Sequence, residues 1–119
     1  MVEGSCHCGT ITFTVSGIPE WLTDCNCSIC RRIGALWAHF PLDAVTVDAP
    51  KGETIAYRQG DKTLVTHSCK NCGCTTHWLP VDPAEFNRMA VNFRMCDPAV
   101  TSGISIRRFD GADTWQFID

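Results

Sequence analysis

The sequence has 119 residues, of which 45% are hydrophobic and 19% are charged, an ordinary balance for a globular protein. The formal net charge is −3 and the basic doublets 31–32 and 107–108 are too few to make a basic patch, so nucleic-acid binding is not expected. The longest apolar run, residues 35–42, is too short to cross a bilayer, so no membrane association is expected either. We expect one domain over residues 1–119.

The chain consists of short segments that alternate polar and apolar residues between Gly, Pro and Asp turns, a pattern typical of a β-rich fold. Residues 10–15, for example, alternate threonines with apolar residues, as a strand with one buried face requires. The segment Gln59-Gly60-Asp61-Lys62 is predicted to be a hairpin turn. In chain order, strands are predicted over residues 10–15, 36–40, 45–48, 54–58, 63–67, 75–78, 89–94 and 104–109.

Helix is predicted to be scarce. Residues 28–33 fit one short helix, with Ser28 as its N-cap and Gly34 just past its end. Residues 83–86 fit another, with Asp82 as its cap and a proline at the first position. For residues 89–94, a continuation of that second helix is the alternative to a strand.

Nine cysteines set this composition apart. No positively charged N-terminal region followed by an apolar stretch is visible, so no signal peptide is predicted and a cytoplasmic location is expected. In a reducing compartment, closely spaced cysteines bind metal more often than they form disulfides, and the odd number of cysteines agrees with metal binding.

Eight of the cysteines fall into three clusters. The pair Cys69 and Cys72, followed by glycine, is typical of a zinc knuckle, in which a tight turn points both sulfurs at one metal. Cys6 and Cys8, also followed by glycine, can supply two more ligands and complete a closed, structural four-sulfur site. The clusters are Cys6-His7-Cys8-Gly9, Cys25-Asn26-Cys27-Ser28-Ile29-Cys30 and Cys69-Lys70-Asn71-Cys72-Gly73-Cys74.

The middle cluster offers three thiols within six residues, at Cys25, Cys27 and Cys30. Three protein ligands leave a fourth position for water or substrate, which is typical of catalytic zinc. The alternatives are a site closed by a further donor, free thiols, or a redox pair. The further donors available are His7, His39, His67, His77, Cys74 and Cys96. We interpret Cys74 and Cys96 mainly as packing residues, His39 and His77 as hydrogen-bonded core residues, and Trp37, Trp78 and Trp115 as core or pocket wall.

The order and spacing of the three clusters resemble those of the glutathione-dependent formaldehyde-activating enzyme family, a domain family that also includes a centromere protein. The similarity extends to residues 74–78, 88–92 and 110–115 and so covers nearly the whole chain. The resemblance implies a mainly β, Mss4-like (β-tent) fold of short curled antiparallel sheets around a structural zinc, with very little helix. It makes Cys6, Cys8, Cys69 and Cys72 the ligands of that structural zinc, and Cys25, Cys27 and Cys30 the ligands of a second, catalytic zinc.

The activity implied by the resemblance is addition of glutathione to formaldehyde, which gives S-(hydroxymethyl)glutathione and counts as a carbon–sulfur lyase reaction in reverse. The leading hypothesis is therefore a zinc-dependent carbon–sulfur lyase, with glutathione or another small thiol and formaldehyde or a small aldehyde as partners. Arg31 and Arg32 are candidates for pairing with glutathione carboxylates, or else are solvated charges. The alternatives are a non-catalytic, zinc-scaffolded binding module and a redox or metal-buffering protein. Oligomeric state is left open.

Overall fold

Ten short strands make up most of the regular structure in the computed structural model, which describes residues 1–58, 60 and 63–119. The strands are β1 (Val2–Ser5), β2 (Thr12–Val15), β3 (Trp21–Cys25), β4 (Trp37–Phe40), β5 (Val45–Asp48), β6 (Thr54–Arg58), β7 (Leu64–Cys69), β8 (Thr75–Pro80), β9 (Met89–Asn92) and β10 (Ser105–Phe109). The helical elements are α1 (Cys30–Ile33), α2 (Pro98–Thr101) and two 3-10 turns, Leu42–Ala44 and Phe93–Met95. The prediction of a mainly β fold with very little helix is confirmed. None of these helices is long and apolar enough to cross a membrane.

The strands form a small and a large sheet. The small sheet has the order β1-β2-β5, and the large one has the order β10-β3-β4-β9-β8-β7-β6. Pairing is antiparallel except at one edge, where β10 runs parallel to β3 from Ser105 beside Trp21 to Phe109 beside Cys25. This parallel pair departs from the antiparallel sheets that the resemblance implies. A parallel pair needs a long connection, and residues 26–104 provide it.

The largest buried cluster contains side chains from both sheets, so the small sheet packs against the large one. Phe13 of β2 and Leu22 of β3 are 1% and 0% exposed. Gly4 of β1 leaves room for the Phe13 ring, because a Cβ at Gly4 would lie 2.2 Å from that ring. Full burial of a side chain of this size contributes about 1.5–3 kcal/mol to stability.

The large sheet has one face in this core and a second face that lies open. Side chains alternate along a strand, so residues two apart share a face. Leu22 and Ala38 therefore point into the core, while their neighbours on β3 and β4 point to the open face. The residues so placed on the open face are Trp21, Thr23, Cys25, Trp37 and His39.

Most predicted strands lie where the pattern put them, with shifts of one or two residues at several ends. The ambiguity at residues 89–94 resolves in favour of the strand Met89–Asn92, followed by a 3-10 turn. Strands β1 and β3 were not predicted. The predicted hairpin turn lies largely outside the described residues, which include Gly60 but not Gln59, Asp61 or Lys62.

The predicted cap of the first helix is wrong. Helix α1 begins at Cys30 with Ile29 in the N-cap position, and no side chain caps it, whereas Gly34 ends it in the left-handed conformation as predicted. The reason is local, because the N–H of Cys30 donates to the sulfur of Cys27 at 3.4 Å and so already has an acceptor.

The predicted helix at 83–86 is also wrong. These residues form a turn in which the N–H groups of Glu85 and Phe86 both donate to the carbonyl oxygen of Asp82, at 3.2 and 3.1 Å. The side chain of Asp82 still caps this turn, since its Oδ1 accepts from the N–H of Ala84 at 3.0 Å. A short helix appears instead at Pro98–Thr101, where Asp97 accepts from the N–H of Ala99 at 2.9 Å.

Candidate metal centres and the adjoining groove

Four cysteines from distant parts of the chain meet in space. The sulfurs of Cys6, Cys8, Cys69 and Cys72 all lie within 4.8 Å of one another. The Sγ atoms of Cys6 and Cys8 are 3.7 Å apart, and those of Cys8 and Cys69 are 3.6 Å apart. Zinc–sulfur bonds of about 2.3 Å at tetrahedral angles separate the sulfurs by about 3.8 Å. The donor set therefore fits one tetrahedral zinc ion.

Tight turns present these sulfurs. Cys69 accepts the N–H of Cys72 on its sulfur at 3.4 Å, as in a zinc knuckle. Gly9 and Gly73, each the residue after a cysteine pair, have φ angles of 84° and 82°, a conformation that L side chains rarely adopt. These two turns therefore favour glycine at positions 9 and 73.

Hydrogen bonds favour the ionised form of two of the four sulfurs. A contact with the hydroxyl of Thr10, at 3.1 Å, is the main cause that lowers the pKa of Cys8 to about 5. The backbone N–H of Cys74 is the main cause that lowers the pKa of Cys72 to about 7. Metal binding requires thiolates, so these contacts prepare the group for a cation.

A second group contains the three cysteines of the middle cluster. The sulfurs of Cys25, Cys27 and Cys30 lie within 4.8 Å of one another. Cys25 ends β3 and Cys30 begins α1, so a strand end and a helix start hold them. The N–H of Cys30 donates to the sulfur of Cys27 at 3.4 Å, which repeats the contact between Cys72 and Cys69. The chain thus contains a second knuckle that the sequence analysis did not identify.

Trp37 supports this group from the sheet. Its indole N–H donates to the sulfur of Cys30 at 3.3 Å. The hydrogen bond between Cys30 and Cys25 is the largest cause that lowers the pKa of Cys25 to about 6, and it raises the pKa of Cys30. This hydrogen bond therefore favours the thiolate form of Cys25 and the protonated form of Cys30.

The three-cysteine group opens on a groove with a volume of about 1320 Å³. The open face of the large sheet forms its floor, and the turn after β8 and the C-terminal loop, residues 110–117, form parts of its walls. None of the four cysteines of the first group lines this groove in the described part of the chain. All four tryptophans and three phenylalanines of the chain line it: Trp21, Trp37, Trp78, Trp115, Phe86, Phe109 and Phe117.

The C-terminal loop closes one side of the three-cysteine group. Asn26 donates its Nδ2 to Asp110 Oδ1 at 3.0 Å and accepts an N–H of the loop backbone on its Oδ1 at 3.0 Å. A Cβ at Gly111 would lie 2.6 Å from the sulfur of Cys25, so the loop backbone packs directly on that cysteine.

The family model for the glutathione-dependent formaldehyde-activating enzyme matches residues 1–101. The chain belongs to this family. A Halomonas elongata protein, provisionally named as a glutathione-dependent formaldehyde-activating enzyme, is 33% identical over 81 residues, which cover 60% of this chain and 52% of the relative. The chain therefore spans about half the length of the curated relative it matches. The resemblance inferred from the cysteine clusters is confirmed.

A solved structure agrees with the fold expected of this family. The crystal structure of a Rhodobacter sphaeroides protein superposes with a TM-score of 0.69 at 26% sequence identity. The match covers 87% of this chain and 98% of that one. The family match ends at residue 101, the last residue of α2, so β10 and the C-terminal loop of this family member lie beyond it.

His39 is a groove residue whose position the sequence analysis missed. Its ring lies edge-on to that of Trp78, with centroids 5.7 Å apart. Burial, and then the charge of Arg88, lower the pKa of His39 to about 4, so the imidazole is neutral at pH 7. The sequence did contain an indication of this position. His39 lies two residues after Trp37 on one strand, which puts both side chains on the same face of the sheet.

The other candidate donors lie away from the three-cysteine group. Cys74 packs against the buried pair Cys6 and Cys69 of the first group. Cys96 is 7% exposed in the main core, where burial raises its pKa to about 11. Among the described residues, neither forms a metal-ligand group with the middle cluster.

The two histidines of β7 and β8 form a pair of their own. The rings of His67 and His77 stack with centroids 4.7 Å apart and planes 3° apart. His77 is 3% exposed, and its Nδ1 hydrogen-bonds the hydroxyl of Thr76 at 2.8 Å. This agrees with the interpretation of His77 as a hydrogen-bonded core residue.

The two arginines of α1 do not line the groove. Arg32 lines a separate hollow of about 400 Å³, and its guanidinium donates to the carbonyl oxygen of Ser28 at 2.6 Å. Arg31 is exposed on the same short helix. Among the described residues, the arginine that lines the groove is Arg88.

Proposed function

We propose that the chain is a zinc-dependent carbon–sulfur lyase that acts on the adduct of glutathione, or another small thiol, with formaldehyde or a small aldehyde. The main supporting observation is the contrast between the two cysteine groups, since three sulfurs face a groove and four do not. Membership of the family supports the reaction class. Two zinc ions per chain, one structural and one catalytic, form part of this proposal.

In this proposal the four-cysteine group holds the structural zinc. Cys6 directly follows β1 and Cys69 ends β7, so a shared ion would fasten the small sheet to the large one. Apparent binding free energies of about 10–16 kcal/mol are typical of structural zinc in small domains. That range is comparable with the whole stability of a domain of this size.

Cys25, Cys27 and Cys30 are the proposed ligands of the catalytic zinc. A zinc ion held by three thiolates supplies a free position for substrate and lowers the pKa of a thiol bound there. The indole N–H of Trp37 and the N–H of Cys30 orient two of the sulfurs, the kind of outer contact that tunes metal affinity.

One groove residue can act on the substrate oxygen as the adduct forms. As the adduct forms, the thiol sulfur attacks the aldehyde carbon, the carbon–sulfur bond is made, and the carbonyl oxygen becomes a hydroxyl that receives the thiol proton. Lysis runs the same steps backwards. The neutral imidazole of His39, which lines the groove, is the group we assign to donate a hydrogen bond to that oxygen as it takes up the proton.

The test is the rate at which glutathione and isotopically labelled formaldehyde exchange with their adduct, measured by exchange NMR. Zinc-loaded protein should accelerate the exchange. Cys27→Ser should abolish the acceleration while the fold persists, and Cys74→Ser, a cysteine outside both groups, should retain it. If the loaded wild-type protein gives no acceleration with any small thiol and aldehyde, the lyase proposal is wrong and the binding-module alternative takes its place.

A further inference from the structure

The charges of the groove do not match those of glutathione. Four charged residues line it among those described: Glu20, Asp82, Glu85 and Arg88. Three acids and one base give a surplus of negative charge, whereas glutathione carries two carboxylates and one ammonium. The charges of the described residues therefore contribute little attraction for the tripeptide, and we look to other contacts for the affinity of the groove.

The size and lining of the groove exceed what formaldehyde needs. Its volume of about 1320 Å³ is above the range of about 300–1,000 Å³ that is usual for small-molecule sites. Formaldehyde has one carbon and no apolar group to bury. An aromatic lining of seven rings would have nothing to contact in the formaldehyde half of the adduct.

Four of these rings form a continuous aromatic wall, which consists of Trp21, Phe117, Phe109 and Trp115. Trp21 and Phe117 meet edge to face with centroids 5.9 Å apart, and Phe117 and Phe109 meet at 5.1 Å. Phe109 and Trp115 meet at 5.2 Å. Such contacts fix the rings in place, so the wall is preorganised for a flat apolar group.

Trp115 ends this wall beside the three-cysteine group. The Cβ position of Gly111 lies 2.6 Å from the sulfur of Cys25 and 3.5 Å from Cζ3 of Trp115, so the sulfur and the indole flank the same glycine. Although it lies in the groove wall, Trp115 is 69% exposed. A large aromatic side chain that exposed next to the cysteines has surface free for a ligand.

The backbone holds Trp115 in a costly conformation. Its φ angle is +60°, which costs roughly 1–2 kcal/mol for a residue with a side chain. Hydrogen bonds to Asp110 hold the loop in this conformation. The carbonyl oxygen of Asp110 accepts the N–H of Trp115 at 2.8 Å, and its carboxylate accepts the N–H and the hydroxyl of Thr114 at 3.1 and 2.9 Å. Strain of this kind is retained mainly at sites of function.

We infer that the groove takes a thiol–aldehyde adduct whose aldehyde half carries an aromatic ring, and that Trp115 is the residue that selects for it. The inference rests on the proposed function for the reaction itself: an aryl aldehyde and a thiol join through a new carbon–sulfur bond, and the thiol proton passes to the aldehyde oxygen. Trp115 contacts the ring, and the cysteine group faces the sulfur.

Two stable thioethers test this without turnover. S-benzylglutathione and S-methylglutathione share the tripeptide and the sulfur and differ only in a phenyl ring, so isothermal titration of zinc-loaded protein isolates the contribution of that ring. We expect the benzyl compound to bind at least about tenfold more tightly, since burial of one ring contributes at least the free energy of a factor of ten. Equal affinities would overturn the inference.

Variants locate the effect. Trp115→Gly removes the ring and suits the positive φ, so the loop should keep its shape while the preference for the benzyl compound falls about three- to tenfold. Trp115→Phe should retain most of the preference. Tyr57→Ala, which removes an exposed aromatic side chain outside the groove, should leave it unchanged. A preference that survives in Trp115→Gly, or falls equally in Tyr57→Ala, contradicts the assignment to Trp115.

The two proposals fail separately. Accelerated exchange of the formaldehyde adduct with equal binding of both thioethers would leave the lyase standing and refute the aromatic specificity. A clear preference for the benzyl compound without turnover of any adduct would refute the lyase and leave an aromatic-selective thioether site.

Discussion

The backbone of Gly111 lies against the sulfur of Cys25, so closely that a Cβ would sit 2.6 Å from it. The φ angle of this glycine is not in the left-handed region, so the position needs glycine for space and not for conformation. The contact joins the C-terminal loop, which lies beyond the family match, to the cysteine group that we propose as catalytic. Loop position and metal affinity should therefore depend on each other.

Gly111→Ala tests that dependence. The added methyl group cannot fit against Cys25 without displacing the loop or the sulfur, so we expect the affinity of the second metal to fall at least about tenfold with the fold retained. Competition with a metal-binding dye measures the affinity. Gly103→Ala is the control, because a Cβ there meets nothing within 4 Å. Wild-type affinity in Gly111→Ala would contradict the close packing.

Trp37→Phe removes the hydrogen bond to the sulfur of Cys30 and keeps an aromatic ring in the groove. Loss of an outer contact of this type costs about 10–100-fold in metal affinity, so the second metal should dissociate more readily. Trp78→Phe is the matched control, since Trp78 also lines the groove and no contact of its indole N–H with a cysteine is described. The same dye competition serves, and equal affinities in the two variants would argue against a role for the indole N–H.

Serine substitutions should separate the two cysteine groups. Cys69→Ser removes a 0% exposed cysteine that we propose as a ligand of the structural zinc, and it should unfold the chain, because much of the stability is expected to come from that ion. Cys27→Ser should keep the fold and lose only the second metal. Circular dichroism and urea unfolding report the fold. Equal loss of folding in the two variants would show that the division into structural and catalytic sites is wrong.

The stability of the fold should fall in mild acid because of His77. Burial, and then the charge of His67, lower its pKa from 6.5 to about 4. Between about pH 6.5 and pH 4, His77 is protonated in the unfolded chain but stays neutral in the folded chain. The free energy of unfolding therefore falls as the pH drops toward 4. Between pH 7 and pH 5 this effect lowers the free energy of unfolding by roughly 2 kcal/mol.

Urea unfolding of the wild type and His77→Gln at the two pH values measures this contribution. The variant should lose less stability between pH 7 and pH 5 than the wild type does. The comparison cancels the protonation of the cysteines, which both proteins share. Identical losses would mean that His77 is not the group responsible.

The knuckle at Cys69 and Cys72 could be predicted from sequence because a glycine follows it. The equivalent turn at Cys27 and Cys30 could not, because Arg31 stands where the glycine would be and the turn runs directly into α1. The groove was also invisible to the sequence pattern. Its floor depends on the parallel pairing of β10 with β3, a contact between residues about eighty positions apart that no local pattern encodes.

Two Asp-Pro pairs show that packing decides whether a predicted helix start leads to a helix. Asp82 and Asp97 each precede a proline and each cap the turn that follows, yet only the second turn becomes a helix. Val100 and Ile104 pack against the main core after Asp97, whereas the residues that follow Asp82 are largely exposed. A single helical turn is marginal by itself, so burial settles the outcome.

Counting zinc during stepwise chelation tests most directly the division of seven sulfurs between two ions. Mass spectrometry of the native protein should find two zinc ions per chain. A mild chelator should remove one while the circular dichroism spectrum stays unchanged, and only a strong chelator should remove the other and unfold the chain. A single zinc ion per chain, or two ions that leave together as the fold is lost, would contradict the division of the seven sulfurs between a structural and a catalytic site.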